Sequence, residues 1–464
     1  MSVISRIVSK RRWKQVTTGI MLVIGFILYL QFSHRRRVSS VTKGWKLNNN
    51  PLAKDTSENN DFRHVFQNGE DTYFLSAIAR RDLEQLDMEI VLTAFDSLRG
   101  NGDFLCCVLY SDGKMYSTQA EFYYIHHHLG FLPSVTQLFN QASFHATQYV
   151  CRTPIPDVNV SVVNISLTTL SMCGSNSSDY LPVKMQEDKK EKLAICGKVA
   201  FGDKLKPSRL IEWFEMQKIL GVDKIVVFDL DCPKQIKIVF KHYIDEGLLE
   251  VIPYSLPGKV PGYSHRGFRL KEQVNPQFSH DKHLTVLDCH QRLGGYGYVL
   301  AADFDEIIIP SHHFTLKQLL QSLTSKSPNA AGFYFHVQFH LENWGRVRTD
   351  SDIYFQQYLT STKPRWECEK YIYIPSRAKS TTIHSFEPRY PFSKNYVDIK
   401  EATIHHYRQC PLGWKNCYPK VITDKQVSKY EELHTAKTFK VFKKLNITHY
   451  DHVTHTVHSV PPTS

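Results

Sequence analysis

The chain has 464 residues, 42% of them hydrophobic and 12% aromatic, which is globular composition and long enough for about two or three domains. Its net charge of +12 resembles that of a nucleic-acid binder, yet ten of the Lys and Arg residues lie within positions 1–46, a stretch without a single Asp or Glu. The rest of the chain is nearly neutral and carries no basic run of the kind duplex binding needs, which excludes nucleic acid as its partner.

Between two basic clusters, Val16 to Phe32 reads VTTGIMLVIGFILYLQF and contains no charge. Seventeen helical residues reach roughly 25 Å, a little less than the ~27 Å core of an early secretory bilayer. A cleaved signal peptide is disfavoured because SHRRR follows the apolar run in place of a small-x-small site, and a buried helix is disfavoured by the basic flanks. The spacing predicts a cytoplasmic tail at 1–15 and an uncleaved single-pass anchor at 16–32. Flanking charge leaves the orientation nearly tied. All ten cysteines follow the span, none in a metal-type CxxC pair, and so do four Asn-x-Ser/Thr sequons at Asn159, Asn164, Asn176 and Asn446. Together they predict glycosylation and a large lumenal body in an oxidising compartment, the type II arrangement.

Residues 33–75 are polar, Asn-rich and aperiodic, and read as a disordered stem. From 85 to 175, short alternating runs broken by Asn-Gly, Asp-Gly and Pro predict a small β-rich accessory domain. A polar stretch, 174–192, reads as a linker. From 193 to about 450 strands alternate with helices: KLAICGKVAF, a helix over PSRLIEWFEMQKILG, the strand DKIVVFDLD, a helix over CPKQIKIVFKHYIDEG, the strand LLEVIPYSL, and a helix over DKHLTVLDCHQRLG. The order predicts an α/β, Rossmann-like catalytic domain on a mostly parallel sheet, with ligands at the carboxyl ends of the strands.

The next strand, YVLAADFDEIIIP, is apolar except for Asp303, Asp305 and Glu306. In an extended strand Asp303 and Asp305 share one side and Glu306 points to the other. Carboxylates ~4 Å apart repel by roughly 4 kcal/mol at an effective dielectric of ~20. The pattern therefore asks for a positive partner, and oxygen ligands suit Mg²⁺ or Mn²⁺. A cation there is placed to clamp a diphosphate and stabilise a leaving group, the chemistry of transfer from a nucleotide-activated donor. Two other Asp-x-Asp pairs are weaker. Asp350 and Asp352 read as solvated loop charge; Asp231 reads as the cap of the helix after it, and Asp229, at a strand end, as a nucleotide contact. Among 23 histidines, the run EATIHHYRQC offers an imidazole for a metal and Arg408 for phosphate.

LKPSRLIEWFEMQKILGVDKIVVFD, LDCHQRLGGYGYVLAADFDEIIIP and TIHHYR resemble, in this order, the signatures of glycosyltransferase family 92, which contains β-galactosyltransferases. The resemblance covers about 193–420. It implies a GT-A fold, UDP-galactose as donor, Mn²⁺ as metal, inversion at the anomeric carbon and a Golgi membrane location. Carried over, Asp303 and Asp305 match the metal and diphosphate site, Asp288 and Arg292 match an Asp-Cys-x-x-Arg helix that binds donor, and His406 completes the metal shell, with His405 as its neighbouring alternative. GGYGY stands where a more basic approach to the strand is expected. No motif fixes the base that takes the acceptor's proton. Glu342 and Glu367, each near a Trp of the kind that stacks on sugars, are the catalytic candidates, with solvated surface charge as the alternative for both.

A glycan-binding protein of the same fold without turnover is the rival reading, disfavoured because a lectin needs no diphosphate clamp. An aspartyl phosphotransferase wants Thr where Ile307 stands, and a zinc hydrolase of the common helical type wants a His-Glu-x-x-His that is absent. The expected activity is transfer of galactose from a UDP-sugar donor to a glycan or glycoprotein acceptor.

Overall fold

The computed structural model describes residues 62–67, 69–82, 87–97, 102–123, 144–157, 159–169, 173, 180–201, 205–257, 276–410 and 421–447. The tail, the apolar span 16–32, the stem as far as residue 61 and the sequon at Asn176 lie outside these residues. Among the described residues, no helix is long and apolar enough to cross a membrane.

The first sheet is built from β1 (Arg63–Gln67), β2 (Glu70–Asp82), β3 (Asp87–Asp96), β4 (Leu105–Tyr110), β5 (Met115–Gln119), β6 (Glu121–Tyr123), β7 (His145–Pro154), β8 (Val162–Thr168) and β9 (Leu181–Met185). Its order is β5-β4-β8-β9-β2-β3-β7-β6, with β1 on the side of β2. Two expectations are corrected here. Strands begin at Arg63, inside the stretch read as stem, because the charges at both ends of β2 mask the buried run Phe74 to Ala79 between them. The stretch read as a linker contains β9, which joins β8 to β2. Although β4 and β7 are distant in the sheet order, Cys106 and Cys151 on them are disulfide-bonded and wholly buried, so the sheet folds over on itself around one core. A second disulfide ties Cys107 to Cys173. Asn159 is exposed, Asn164 half-buried on β8, and Asn446 exposed in the left-handed region just past the last helix.

The second sheet contains β10 (Lys189–Phe201), β11 (Lys224–Leu230), β12 (Leu249–Pro253), β13 (Tyr296–Ala301), β14 (Glu306–Pro310), β15 (Ala330–Leu341), β17 (Arg365–Tyr373), β20 (Ser393–Tyr396) and β21 (Ala402–Arg408). Two ribbons flank it: β16 (Thr360–Thr362) with β22 (Val421–Thr423), and β18 (Ala378–Thr381) with β19 (Phe386–Pro388). The order is β12-β11-β10-β13-β17-β15-β21-β14. From β12 to β13 every pairing is parallel, as the alternation of strand and helix predicts. Beyond β13 the sheet is mixed: β17 runs antiparallel to β13 and β15, and β14 antiparallel to β21. The expectation of a mostly parallel sheet fails there because most of the later strands are joined by turns and irregular segments, which allow reversal, and the helix Leu316–Lys326 between β14 and β15 returns the chain antiparallel.

Helices pack on this sheet through apolar faces. Pro207–Ile219 is buried around most of its circumference, including Trp213 and Phe214, and Trp213 donates from Nε1 to the Glu306 carbonyl at 3.0 Å. Lys234–Asp245 buries Ile236, Val239, Phe240 and Tyr243. Asp231 does not cap it: Pro233 is its N-cap residue, and Asp231 sits in a left-handed turn at φ 53. Asp229 instead accepts from the Cys232 amide at 2.8 Å and closes that turn.

Helix Pro276–Arg292 lies in the seam between the sheets. Cys289 is disulfide-bonded to Cys196 on β10, Gln186 donates to the Gln291 carbonyl at 2.6 Å, and Gln148 donates to the Leu287 carbonyl at 3.2 Å. Phe62, Leu75 and Phe95 from the first sheet share a core cluster with Ala194, Val226 and Leu284 from the second. The β-rich segment is therefore a second layer of the catalytic body, packed through apolar contact.

The GGYGY segment has a steric reason. A Cβ on Gly297 would sit 2.0 Å from the Lys190 carbonyl oxygen, and one on Gly295 equally close, at 2.0 Å, to that of Glu187. Both obstacles are backbone, Lys190 within β10 and Glu187 just before it, so neither can swing aside as a side chain could. Gly297→Ala is expected to destabilise the fold by about 2–3 kcal/mol in a urea unfolding experiment.

Buried histidines set the acid limb of stability. His434, on helix Glu431–Leu445, bonds the Glu212 carbonyl at 2.7 Å, and burial lowers its pKa to about 4. The folded state thus binds fewer protons than the unfolded chain between the ordinary value of 6.5 and about 4. Acid therefore destabilises it. In His434→Gln, the stability lost between pH 7 and pH 5 should shrink by about 2 kcal/mol, read from paired denaturant titrations.

Candidate active site

The carboxyl ends of β10, β11, β12 and β13 point to one edge of the second sheet, and those of β15 and β21, parallel to each other, point to the same edge. Asp303 and Asp305 lie just past β13, in the turn that leads into β14. The turn corrects the expected geometry. Because it breaks strand alternation, Glu306 does not point away from the two aspartates; all three carboxylates converge on neighbouring strands.

Lys370, from β17, is only 2% exposed at its side chain and sits between two of them, 2.8 Å from Asp303 Oδ2 and 2.9 Å from Glu306 Oε2. Here is the positive partner that the sequence demanded, supplied by the protein itself. Glu306 also accepts from the Asp303 amide at 2.9 Å, which fixes the turn. On the other side, His406 lies across from Glu306 in the β14–β21 register. Its Nε2 is 3.3 Å from Asp305 Oδ2 and its Nδ1 is 3.5 Å from Glu306 Oε1. Burial works against protonating His406, but Glu306 and Asp305 outweigh it and raise the pKa. Lys282, on the seam helix, feels Asp303, Asp305 and Glu306, yet burial lowers its pKa. Asp303 and Asp305 remain about half-exposed, while Glu306 is buried.

Asp305, Glu306 and His406 each present one ligand atom, all within 4.8 Å of one another. These donors fit a divalent cation, with Glu306 in the place expected for Asp303. His405, the neighbouring alternative, faces the opposite side of β21 and belongs to a different cluster. Arg408, two residues beyond His406, shares its face and half-buried ends the strand at the active edge.

Other expected residues sit elsewhere. Asp288 is wholly buried in the seam, where Ser76 of the first sheet and Arg292 both bond its carboxylate. Arg292 also reaches Glu250 at 3.4 Å. Relative to Lys282, these two residues lie about 9 and 15 Å further along the helix axis. Asp288 and Arg292 thus form a buried pair that fastens the helix to the first sheet, and the structure does not bring them to the carboxylates. Asp229 is at the correct edge of the sheet but is engaged with the Cys232 amide and lies 3.5 Å from Lys237. Asp350 is exposed and paired with Arg348 at 2.7 Å, as a solvated loop charge should be.

Glu342 follows β15 at the active edge. Its Oε1 accepts from Arg209 at 2.8 Å and from the Tyr354 hydroxyl at 2.6 Å, and the Arg209 guanidinium lies 3.9 Å over the Tyr354 ring. Held by both partners, Glu342 suits a structural or positioning role. Glu367, at the outer end of β17, is 36% exposed and pairs with Arg365 at 3.1 Å. Beside it Trp366 is 42% exposed and meets Tyr396 edge to face at 5.2 Å. Sequence reasoning missed Lys370, since a lysine in RWECEKYIYIP looks like any exposed strand charge. The sequence signal is slight: Lys370 is the last charge before the apolar run Tyr371 to Ile374.

The family model described as Glycosyltransferase family 92 matches residues 191–456, more than half of the chain. The chain belongs to glycosyltransferase family 92. Membership implies that the protein binds a sugar donor and an acceptor. A β-1,4-galactosyltransferase of Caenorhabditis elegans, galt-1, is 27% identical over 122 residues, which is 26% of this chain and 25% of the relative. The match thus spans about a quarter of that protein's length. Similar solved structures include HddC from Yersinia pseudotuberculosis, with a TM-score of 0.24, 10% identity, 46% of this chain and 92% of the other. UDP-glucose pyrophosphorylase in complex with UDP-glucose has a TM-score of 0.21, 11% identity, 55% of this chain and 99% of the other. At such TM-scores neither bears on function.

Proposed function

We propose that the chain is a GT-A-type, metal-assisted galactosyltransferase that moves galactose from UDP-galactose to a glycan or glycoprotein acceptor, with inversion, anchored as a type II protein in the Golgi membrane. The observation that carries this reading is the convergence of Asp303, Asp305, Glu306, Lys370 and His406 at the carboxyl edge of the sheet. A fold that only bound sugar through stacking and hydroxyl contacts would have no use for three carboxylates there. Family membership supports glycosyl transfer; the named relative supports galactose; the disulfides Cys106–Cys151, Cys107–Cys173 and Cys196–Cys289 support an oxidising lumen.

Asp305, Glu306 and His406 are the residues to hold Mn²⁺ or Mg²⁺, which when bound supplies charge stabilisation for a diphosphate leaving group. Lys370 keeps Asp303 and Glu306 in place, and Arg408 stands on the face where a phosphate would lie. The bond from the anomeric carbon to the UDP oxygen breaks, the acceptor oxygen bonds to the opposite face of that carbon, and the acceptor's proton passes to a base. Neither Glu342 nor Glu367 is free of a cationic partner, so the base is to be found by mutation.

The test is the purified protein with a panel of UDP-sugars, with and without Mn²⁺, scored for donor hydrolysis and for transfer to a glycan array. Expected is metal-dependent consumption of UDP-galactose above the other donors. Tight glycan binding without turnover of any donor would establish the lectin reading instead.

A further inference from the structure

On the face of β21 opposite the carboxylates, His405 meets His340 of β15 and Asp424, which follows β22. All three are buried: the two histidines are wholly so and Asp424 is 6% exposed. One ligand atom from each lies within 4.8 Å of the others. His405 Nε2 and Asp424 Oδ2 are 3.1 Å apart but not aligned as a hydrogen bond, and neither atom, nor His340 Nε2, has a hydrogen-bond partner. His405 and Asp424 are close enough for an ion pair, whereas His340 Nε2 beside them is buried with no partner, and a buried polar atom without a partner is costly.

We infer that His340 Nε2, His405 Nε2 and Asp424 Oδ2 form a second, structural metal site that takes a zinc ion. The remaining atoms of the three side chains are already used in the way that aims these donors inward. His340 Nδ1 bonds the Tyr358 carbonyl at 2.7 Å, which puts the ring proton there and leaves the Nε2 lone pair pointing into the cluster. His405 Nδ1 is 3.4 Å from the Tyr407 hydroxyl, and Asp424 Oδ1 accepts from the Gln426 amide at 2.8 Å. Two imidazoles and a carboxylate are a zinc set; the oxygen-rich cluster across the strand is not. A metal–ligand distance of about 2.0 Å requires the three donors to draw together by roughly an ångström, and a fourth ligand completes a tetrahedron. The ion would clip the segment from β22 to the final helix onto the β15–β21 pair, since His340 and His405 belong to those paired strands and Asp424 does not. Its contribution is therefore to folding, and it is independent of the donor chemistry.

The full chain, purified without chelator, should contain about one zinc per molecule by plasma mass spectrometry. His340→Gln and Asp424→Asn should each lose that zinc and melt at a lower temperature, whereas Asp305→Asn should retain it. X-ray absorption of the unmutated protein at the zinc edge should show two imidazoles in the shell, a readout that stands even if a variant fails to fold. Unmutated protein that holds no zinc and takes none up on addition would overturn the inference. So would zinc that persists in both His340→Gln and Asp424→Asn, or zinc that Asp305→Asn abolishes, which would assign the ion to the carboxylate cluster.

Discussion

Lys370→Met is expected to destabilise the protein by about 3–5 kcal/mol in the presence of chelator. The reason is the burial of Glu306. Its carboxylate is almost inaccessible and its nearest cation is the Lys370 ammonium at 2.9 Å, which also holds Asp303 at 2.8 Å. A methionine fills similar volume but leaves a buried carboxylate uncompensated, with two more carboxylates close by. Two companion measurements separate this account from simple loss of packing. Lys370→Met combined with Glu306→Gln should recover more than half of the lost stability, because the orphaned charge is gone. Adding Mn²⁺ to Lys370→Met should recover part of it, because a divalent cation replaces the ammonium. Both are read from guanidinium unfolding curves. A loss below about 1 kcal/mol would show that Lys370 does not balance the cluster.

Asp305→Asn is expected to lower turnover with the UDP-sugar donor by a factor of about 10²–10³, with stability changed by less than about 1 kcal/mol. The asymmetry follows from position. The Asp305 side chain is 48% exposed, so solvent screens its 3.3 Å approach to His406, and the fold loses little. Activity depends on it differently, because Asp305 is one of three groups in reach of a cation, and losing one of them loosens the cation. A kinetic titration against Mn²⁺ should show the metal requirement moved to higher concentration as well as reduced maximal turnover. A variant with unaltered turnover would remove Asp305 from the site and leave the cluster as a structural feature.

The sequence by itself determined much of this. Local period and turn chemistry mark β10 to β13 and the helices between them, and four parallel strands in that rhythm place a site at their carboxyl ends before any coordinates are known. The ordered motifs pointed to the family, Asp303 and Asp305 were legible because the cost of carboxylates in an apolar run has few solutions, and His406 joined them only through the resemblance. Tertiary structure decided the rest. Whether Glu306 joins or leaves the aspartates depends on a turn of four residues, which strand alternation does not anticipate. Lys370 is 67 residues away from Asp303 along the chain, and only the antiparallel placement of β17 brings its charge beneath the turn. Asp288 and Arg292 carry a motif of the right composition, yet helix geometry places them at the far end of the seam, where Ser76 and Glu250 from other elements satisfy them. His405 and His406 are neighbours in sequence, and the pleat sends one to the carboxylates and the other to His340 and Asp424. Local physics writes the strands and the need for charge compensation into the sequence; which distant residue supplies each compensating charge is settled only when the strands are ordered in the sheet.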